Sequence, residues 1–327
     1  MLSSVNGKSL APGGEATSPV VVIGGPTASG KSALALALAK ALGGTVVNAD
    51  SLQCYRDLRI LTARPDAKAG AKAPHRLYGF LDATETGSAG RWRILALAEI
   101  GATVAAGRLP IVIGGSGLYL RALTAGLAPI PEIPDRVRQE ARALLQAEGA
   151  AAFRQCLAGL DRAAAERLAP GDPQRLVRAY EVVRATGRPI GWWRQQPCSA
   201  PPFRFAAVLV MPPRTALYAA CNARFEAMIK EGGLDEAAAL LHRQLDPELP
   251  AMKAAGLPEL FAHLEGAIGL DEAIAAAQRA TRRYAKRQMT WFRHQFRADL
   301  VLGEQFSGKI MPLVRQLINP MLLTGRT

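Results

Sequence analysis

Cysteine is sparse in this 327-residue chain: Cys54, Cys156, Cys198 and Cys221 are scattered, with no CxxC pair. That spacing indicates neither a paired-thiolate zinc site nor a disulfide framework, and fits a reduced compartment. Long apolar runs are missing too. No stretch reaches the roughly 18 residues needed to span a bilayer. Residues 1–17, MLSSVNGKSLAPGGEAT, are polar and Gly/Pro-rich, a disordered lead-in rather than a signal peptide. A soluble, cytoplasmic protein is therefore expected. Acid is scarce, with 27 Asp and Glu against 40 Lys and Arg and a formal net charge of +13. Such an excess fits a polyanionic partner, nucleic acid before an anionic membrane. A genome that favours Arg and Ala would raise it as well. Internal repeats are absent.

What is present is apolar residues, 49% of the chain, ample for a sizeable core. Val20–Ile23, Thr45–Val47, Pro110–Ile113 and Phe205–Met211 read as buried strands separated by helical stretches, which predicts α/β with a largely parallel sheet. Three of these runs lead into GGPTASGKS, NADSLQ and GGSGLY. Ligands gather at the carboxyl ends of parallel strands, so these segments point to one site. Pro-rich boundaries at Ala128–Asp135 and Gln196–Pro202 bracket an Ala/Arg/Leu-rich helical stretch without strand signal. The expected organisation is a catalytic core over 18–129 and 201–302, an inserted all-helical subdomain over 130–200, and a C-terminal tail, 303–327, without an evident role.

Gly25, Pro26, Thr27, Ala28, Ser29, Gly30, Lys31 and Ser32 match G-x-x-x-x-G-K-[ST] between an apolar strand and an Ala/Leu helix. Backbone N–H groups of such a loop converge on phosphate oxygens, and the helix dipole adds to them. Lys31 supplies a compact cation, and Ser32 can ligate Mg²⁺. The fold expected from this frame is a P-loop NTPase-like parallel sheet flanked by helices. Yet the strand-end acid common in such proteins is missing, since Pro110–Ile113 runs into Gly-Gly. Asp50, after Thr45–Val47, is the remaining candidate, as a metal ligand, a general base or a helix cap.

Acid is altogether absent between Ala273 and Ala298, a span that holds Arg279, Arg282, Arg283, Lys286, Arg287, Arg293 and Arg297. On a helix most of these fall near one face, while Ala277, Ala280, Tyr284, Trp291 and Phe292 gather toward another. One stripe can dock on a core as the other meets phosphates. Charge runs are ordinarily solvated faces, but those mix signs. In GDPQRLVRAYEVVRATG, Asp172 and Pro173 start a helix and Gly187 stops it, with Gln174, Arg175 and Arg178 in the first turns. Arg214 and Arg224 share a helix after the fourth strand, and an arginine near a phosphate loop can stabilise a leaving group.

Together GPTASGKS, NADSLQCYRDLRILTARP, PHRLYGFLD, IVIGGSGLYLRAL, GDPQRLVRAYEV, AMIKEGGLDEAAAL, PAMKAAGLPEL and ATRRYAKRQMTWFR resemble the tRNA dimethylallyltransferases (isopentenyl-tRNA transferases) of bacterial type. They run in the family's order from about Val20 to Arg297. The resemblance implies transfer of a dimethylallyl group from dimethylallyl diphosphate to N6 of the adenine 3′-adjacent to the anticodon in tRNA, with Mg²⁺. No phosphoryl group moves, and no obligate protein partner is implied. It further implies that Asp50 is the base, that Arg224 and Lys31 stabilise the diphosphate, and that Gly25–Ser32 hold the donor, with Ser32 on Mg²⁺. Asp50, Ser51, Leu52, Gln53, Ser116 and the stretch Gln174, Arg175, Leu176, Val177 and Arg178 would meet tRNA, as would Arg283 and Arg287 on the basic helix. The helical insertion would grip the anticodon stem-loop. Departures are Ser116 for the commoner Thr, Arg64 for a lysine at a position that bears on a phosphate contact, and GLPEL for GYRQ, which leaves Gly256–Leu260 without an assigned role. No zinc finger like that of eukaryotic relatives follows. The competing readings are a P-loop small-molecule kinase and an RNA-binding protein that uses a nucleotide as a switch.

Overall fold

The computed structural model describes residues 18–169, 171–198 and 201–323. The lead-in predicted for 1–17 lies outside them. Two compact units divide at 124/125 and 200/201.

The outer unit begins with β1 (Ser18–Gly24), α1 (Lys31–Leu42), β2 (Gly44–Asn48), α2 (Ala67–Lys72), β3 (His75–Arg76), α3 (Ala89–Ala105), β4 (Leu109–Gly114) and α4 (Gly117–Ala125). The inner unit, described below, contributes α5 (Asp135–Leu160), α6 (Arg162–Arg167), α7 (Pro173–Thr186) and α8 (Ile190–Gln195). The chain then returns as β5 (Phe203–Val210), α9 (Arg214–Met228), α10 (Leu234–Leu241), α11 (Leu257–Leu264), α12 (Leu270–Gln295), β6 (Leu300–Leu302) and α13 (Met311–Leu323).

All strand pairs are parallel, in the order β3-β2-β4-β1-β5-β6. β1 is central, with Val22 beside Val112 of β4 and Ala207 of β5. Alternate residues feed opposite faces. Val20 and Val22 join one core with Trp92, Tyr119, Phe225 and Phe292. Val21 and Ile23 join another with Leu34 and Leu38 of α1. Burial on both faces is why these strands read as unbroken apolar runs. The edge strands β3 and β6 span only two and three residues, too short to give a period, and went unpredicted.

The described residues from 303 to 323 are not an appendage. Ile310, Val314 and Ile318 are buried against β1, β5 and α1, so α13 covers one face of the sheet. The basic segment read as helical is α12, which ends at Gln295, two residues before Arg297.

In the inner unit, α5–α8 surround their own core of Val137, Phe153, Leu157, Leu176, Tyr180 and Ile190, and its described residues form no strand. Asp172 Oδ1 accepts from Arg175 N–H (3.3 Å) to start α7, and Gly187 ends it at φ 67°.

Candidate active site

The phosphate loop joins β1 to α1 at the carboxyl edge of the sheet's middle. Its glycines are required by close approach. A side-chain carbon at Gly25 would lie 2.6 Å from the Val210 carbonyl oxygen, and Gly30 sits at φ 89°, beside Phe306 N. Ser29 Oγ is buried and unpaired among the described residues, a donor with no protein acceptor. Lys31 is 9% exposed, and its Nζ donates to the Pro26 carbonyl (3.1 Å). Burial pushes its ammonium down to about 8, with the Asp50 carboxylate opposing and Arg224 reinforcing the shift. Ser32 is exposed at the loop's open face.

β2 delivers Asp50. Asn48 is fully buried and accepts the Asp50 N–H at Oδ1 (2.9 Å), while its Nδ2 donates to the carbonyls of Asp50 (2.9 Å) and Leu77 (3.0 Å). The backbone under Asp50 is thereby fixed. Asp50 Oδ1 accepts Leu52 N–H (3.1 Å), so it does cap the short turn that follows. Its Oδ2 lies beside Gly115, where a side-chain carbon would come within 3.2 Å. The Gly-Gly that replaces an acid after β4 has a steric cause: Gly114 abuts the backbone of Ala49, and Gly115 abuts the amide of Gln288. Ser116 Oγ accepts Ser51 N–H (2.8 Å) and bonds Ser51 Oγ (3.0 Å), tying the two strand ends together.

Two cavities open beside this edge. One is lined by Ser29, Gly30, Lys31, Ser32, Gln305 and Phe306. The other is largely apolar, with Leu61, Phe225, Met228, Ala254 and Ala255 on its wall, and it also touches Asp50, Thr27 and Tyr284. Ala28 and Arg224 line both. The Arg224 guanidinium makes no hydrogen bond or ion pair among the described residues, and burial lowers its pKa against the pull of Asp50. Five of its N–H bonds thus remain for a ligand. Ala28 holds φ 60°, a left-handed conformation that is rare for a residue with a side chain. Arg214 is elsewhere, exposed, its guanidinium 5.3 Å from the Tyr218 ring.

The apolar wall could not be read from the sequence, because its residues come from the 58–63 loop, α9, the 251–255 turn and α12. What positions the loop is Glu236 of α10. Its carboxylate accepts the N–H groups of Arg59 (2.8 Å), Ile60 (2.8 Å) and Leu61 (2.9 Å). Arg243 adds ion pairs to Asp57 and Asp82, each at 2.7 Å. Glu236→Ala would strand three backbone donors. We expect a loss of about 2–3 kcal/mol in a denaturant melt, with Glu236→Gln losing less because one acceptor oxygen survives. An unchanged midpoint in the alanine variant would show that water replaces the carboxylate freely.

Several residues singled out in the sequence have inward duties. Leu52 lines the apolar cavity. Gln53 spends its amide N–H groups on the carbonyls of Thr62 (2.9 Å) and Ala63 (3.4 Å). Arg64 donates to the Tyr55 carbonyl (3.0 Å) and packs on Gly79, which makes it a brace of this loop. Leu257 and Leu260 are fully buried, so the 256–260 stretch serves packing. Leu176 is fully buried and Val177 packs on the same core, which leaves Gln174, Arg175 and Arg178 to face outward on α7. Arg175 pairs with Asp172 (3.3 Å), and Arg178 with Glu181 (3.4 Å). On α12, Arg279, Arg283, Lys286, Arg287 and Arg293 of the basic segment are exposed, as is Arg297 just beyond its end, while Arg282 turns to Asn222 Oδ1 (2.6 Å). The buried stripe of that helix is Ala273, Ala277, Ala285, Gln288, Met289 and Phe292. Sequence reasoning missed Gln288, and it missed Gln305, whose Nε2 donates to the Ala28 carbonyl (3.1 Å).

Among the described residues no helix is long and apolar enough to cross a membrane, and the four cysteines are free. The family model for IPP transferase matches residues 53–295, and that for isopentenyl transferase matches residues 18–85. A tRNA dimethylallyltransferase of Rhodospirillum centenum is 58% identical over 86% of this chain and 91% of its own length. That of Rhodospirillum rubrum is 54% identical over 94% and 97%. The crystal structure of a tRNA isopentenylpyrophosphate transferase from Bacillus halodurans, 31% identical, superposes with a TM-score of 0.68 over 95% of this chain and 98% of that one. A eukaryotic dimethylallyltransferase acting on tRNA, 23% identical, shares the fold with a TM-score of 0.80 over 95% and 80%. With its P-loop NTPase-like sheet and an IPP transferase match over most of its length, the chain belongs to the tRNA dimethylallyltransferase family.

Proposed function

We propose that this enzyme transfers the dimethylallyl group of dimethylallyl diphosphate to N6 of the adenine 3′-adjacent to the anticodon of tRNA, releasing diphosphate. The observation that carries the reading is the pair of cavities meeting at Ala28 and Arg224. An allylic diphosphate is a trianion joined to a five-carbon apolar chain. One cavity offers convergent N–H groups and a lysine, the other aliphatic and aromatic walls, and the breaking bond falls between them.

The bond between C1 and the bridging oxygen breaks as the N6 lone pair forms a bond to C1. The N6 proton passes to the Asp50 carboxylate. The electron pair leaves with the diphosphate, where the loop N–H groups, Lys31 and Arg224 meet the growing charge. N6 is weakly nucleophilic in a neutral adenine, which is why a base stands on the cavity wall. To present N6, the adenine leaves its stack.

The loop also fits Mg²⁺. Among the described residues no group of three or more His, Cys, Asp or Glu could hold a metal. Mg²⁺ needs none, since it is commonly held by one or two protein oxygens plus substrate phosphates. The Ser32 hydroxyl, exposed on the cradle made by Gly25 and Gly30, is such an oxygen. Held there, the ion would neutralise charge on the leaving diphosphate.

Ser51, Ser116 and the outward residues of α7 would contact the anticodon stem-loop, and the exposed arginines of α12 would meet its phosphates. A cytoplasmic location follows from the substrate. The test is incubation with radiolabelled dimethylallyl diphosphate and unmodified tRNA. Label should enter only tRNAs with adenine 3′ of the anticodon; ATP turnover without label transfer would sink the reading. Exchanging Arg283 and Arg287 together for alanine should weaken tRNA binding and lower the slope of log Kd against log salt by about 1.5, two phosphate contacts' worth. An unchanged slope would return that face to solvent.

A further inference from the structure

The buried stripe of α12 is apolar except at Gln288, which is 6% exposed. Burying an amide is unfavourable unless both of its halves are paired. Here they are. Oε1 accepts the Thr27 N–H (2.8 Å), and Nε2 donates to the Gly115 carbonyl (3.0 Å). The partners belong to different loops. Thr27 is in the phosphate loop after β1. Gly115 is in the turn after β4, the turn whose Ser116 holds Ser51, next to Asp50. β1 and β4 are neighbours in the sheet, so the two loops rise side by side, and the Gln288 side chain fills the gap between them. Gly115 has no room for a side chain because that amide and Asp50 Oδ2 occupy its surroundings.

We infer that Gln288 is a positioning residue for the transfer step: its amide sets the separation of the leaving-group loop from the wall that carries Asp50, touching neither substrate. This rests on the function proposed above. The residue type is informative. Leucine or methionine would satisfy the buried stripe at no polar cost. Only a side chain with one acceptor and one donor at its tip can bond an N–H on one loop and a carbonyl on the other. Neighbouring interactions hold each loop locally, through the Ser51–Ser116 bonds on one side and the β1–β5 ladder on the other. Among the described residues, Gln288 is the side chain that bonds both the phosphate loop and the β4 turn. Loosening this bridge lets the two halves of the site drift while each still binds its own substrate. A displacement of about an ångström between reacting groups costs about 100-fold in rate.

The experiment compares Gln288→Met, similar in volume without the two bonds, with Gln288→Glu, isosteric but unable as a carboxylate to donate to Gly115. Both should lower kcat about 30- to 100-fold, measured as label transfer at saturating substrates. KM for the prenyl diphosphate and Kd for tRNA should stay within about threefold of wild type. A kcat within threefold of wild type in Gln288→Met overturns the inference. So does a loss shared equally by kcat and both binding constants together with a lowered Tm, because that marks a scaffold defect. If Gln288→Met fails to fold, Gln288→Glu is held to the same criteria. Absence of transfer by the wild-type chain would sink the transferase reading, and this inference with it. Normal wild-type transfer beside normal Gln288→Met transfer overturns the inference alone.

Discussion

Asp50→Asn is expected to lower single-turnover transfer by about 10²- to 10⁴-fold while leaving tRNA affinity within about twofold. The substitution is chosen for what it retains. An asparagine Oδ1 still accepts the Leu52 N–H, so the turn after β2 keeps its cap, and Asn48 still holds the backbone beneath it. What disappears is the ability to take a proton from N6. A gel-shift titration with tRNA and a rapid-quench transfer assay separate the two properties. The same variant decides between a base and a metal ligand. If Asp50 served mainly to hold Mg²⁺, raising the Mg²⁺ concentration would restore much of the rate; a base is not replaced by excess metal. Transfer within tenfold of wild type would remove Asp50 from the chemistry.

The second large effect belongs to Arg224. Its guanidinium borders both cavities with no protein acceptor among the described residues, the arrangement expected of a group kept for charge that appears during reaction. Arg224→Met should lower kcat about 10²- to 10³-fold, the range for losing one preorganised donor to a developing anion. It should also move a pH limb. In the free protein Lys31 loses its proton around pH 8, and a neutral amine binds diphosphate poorly, so donor affinity should fall as pH rises through that value. Arg224 is one of the causes that hold Lys31 low. Without it the ammonium persists to higher pH, and the alkaline limb of donor binding should shift upward. Isothermal titration with inorganic diphosphate across pH 7–10 measures this. A limb that stays in place would mean that the two cations do not sense each other.

How much of this was legible beforehand depended on whether a residue's neighbours in space were also its neighbours in sequence. The phosphate loop was readable because its glycines, Lys31 and Ser32 lie within eight residues of a strand–loop–helix frame. Asp50 was readable as the acid closing a buried run. The kind of residue at the apolar wall was foreseeable from the donor's chemistry, but its members were not, since Leu61, Met228 and Ala255 come from three separate segments. Gln288 was hidden for a different reason: glutamine on a charged helix reads as surface, and only the tertiary partners Thr27 and Gly115 turn it inward. Leu176 erred the other way. It was carried along with Gln174 and Arg178 as one block, although the helical period places it with Ala179, Tyr180 and Val183 on the buried side of α7. β6 and α13 were missed because a three-residue strand and a helix with Pro320 inside it give little local signal.

The placement of α13 bears on where this enzyme ends as a folding unit. The family match stops at residue 295, at the last turn of the basic helix. Five residues later the chain adds a parallel strand beside β5, and then lays Ile310, Val314 and Ile318 over the face of the sheet that α1 also covers. A protein shortened to the matched residues would keep every proposed reactive group, yet it would leave Val21, Ile23 and Val208 short of apolar neighbours and β5 as a bare edge. On the way to α13, the chain passes Gln305 and Phe306 along the mouth of the phosphate cavity. The border of the family model is therefore not the border of the fold: relatives that cover 94% and 95% of the chain run past residue 295, and residues 300–323 complete the sheet and its cover.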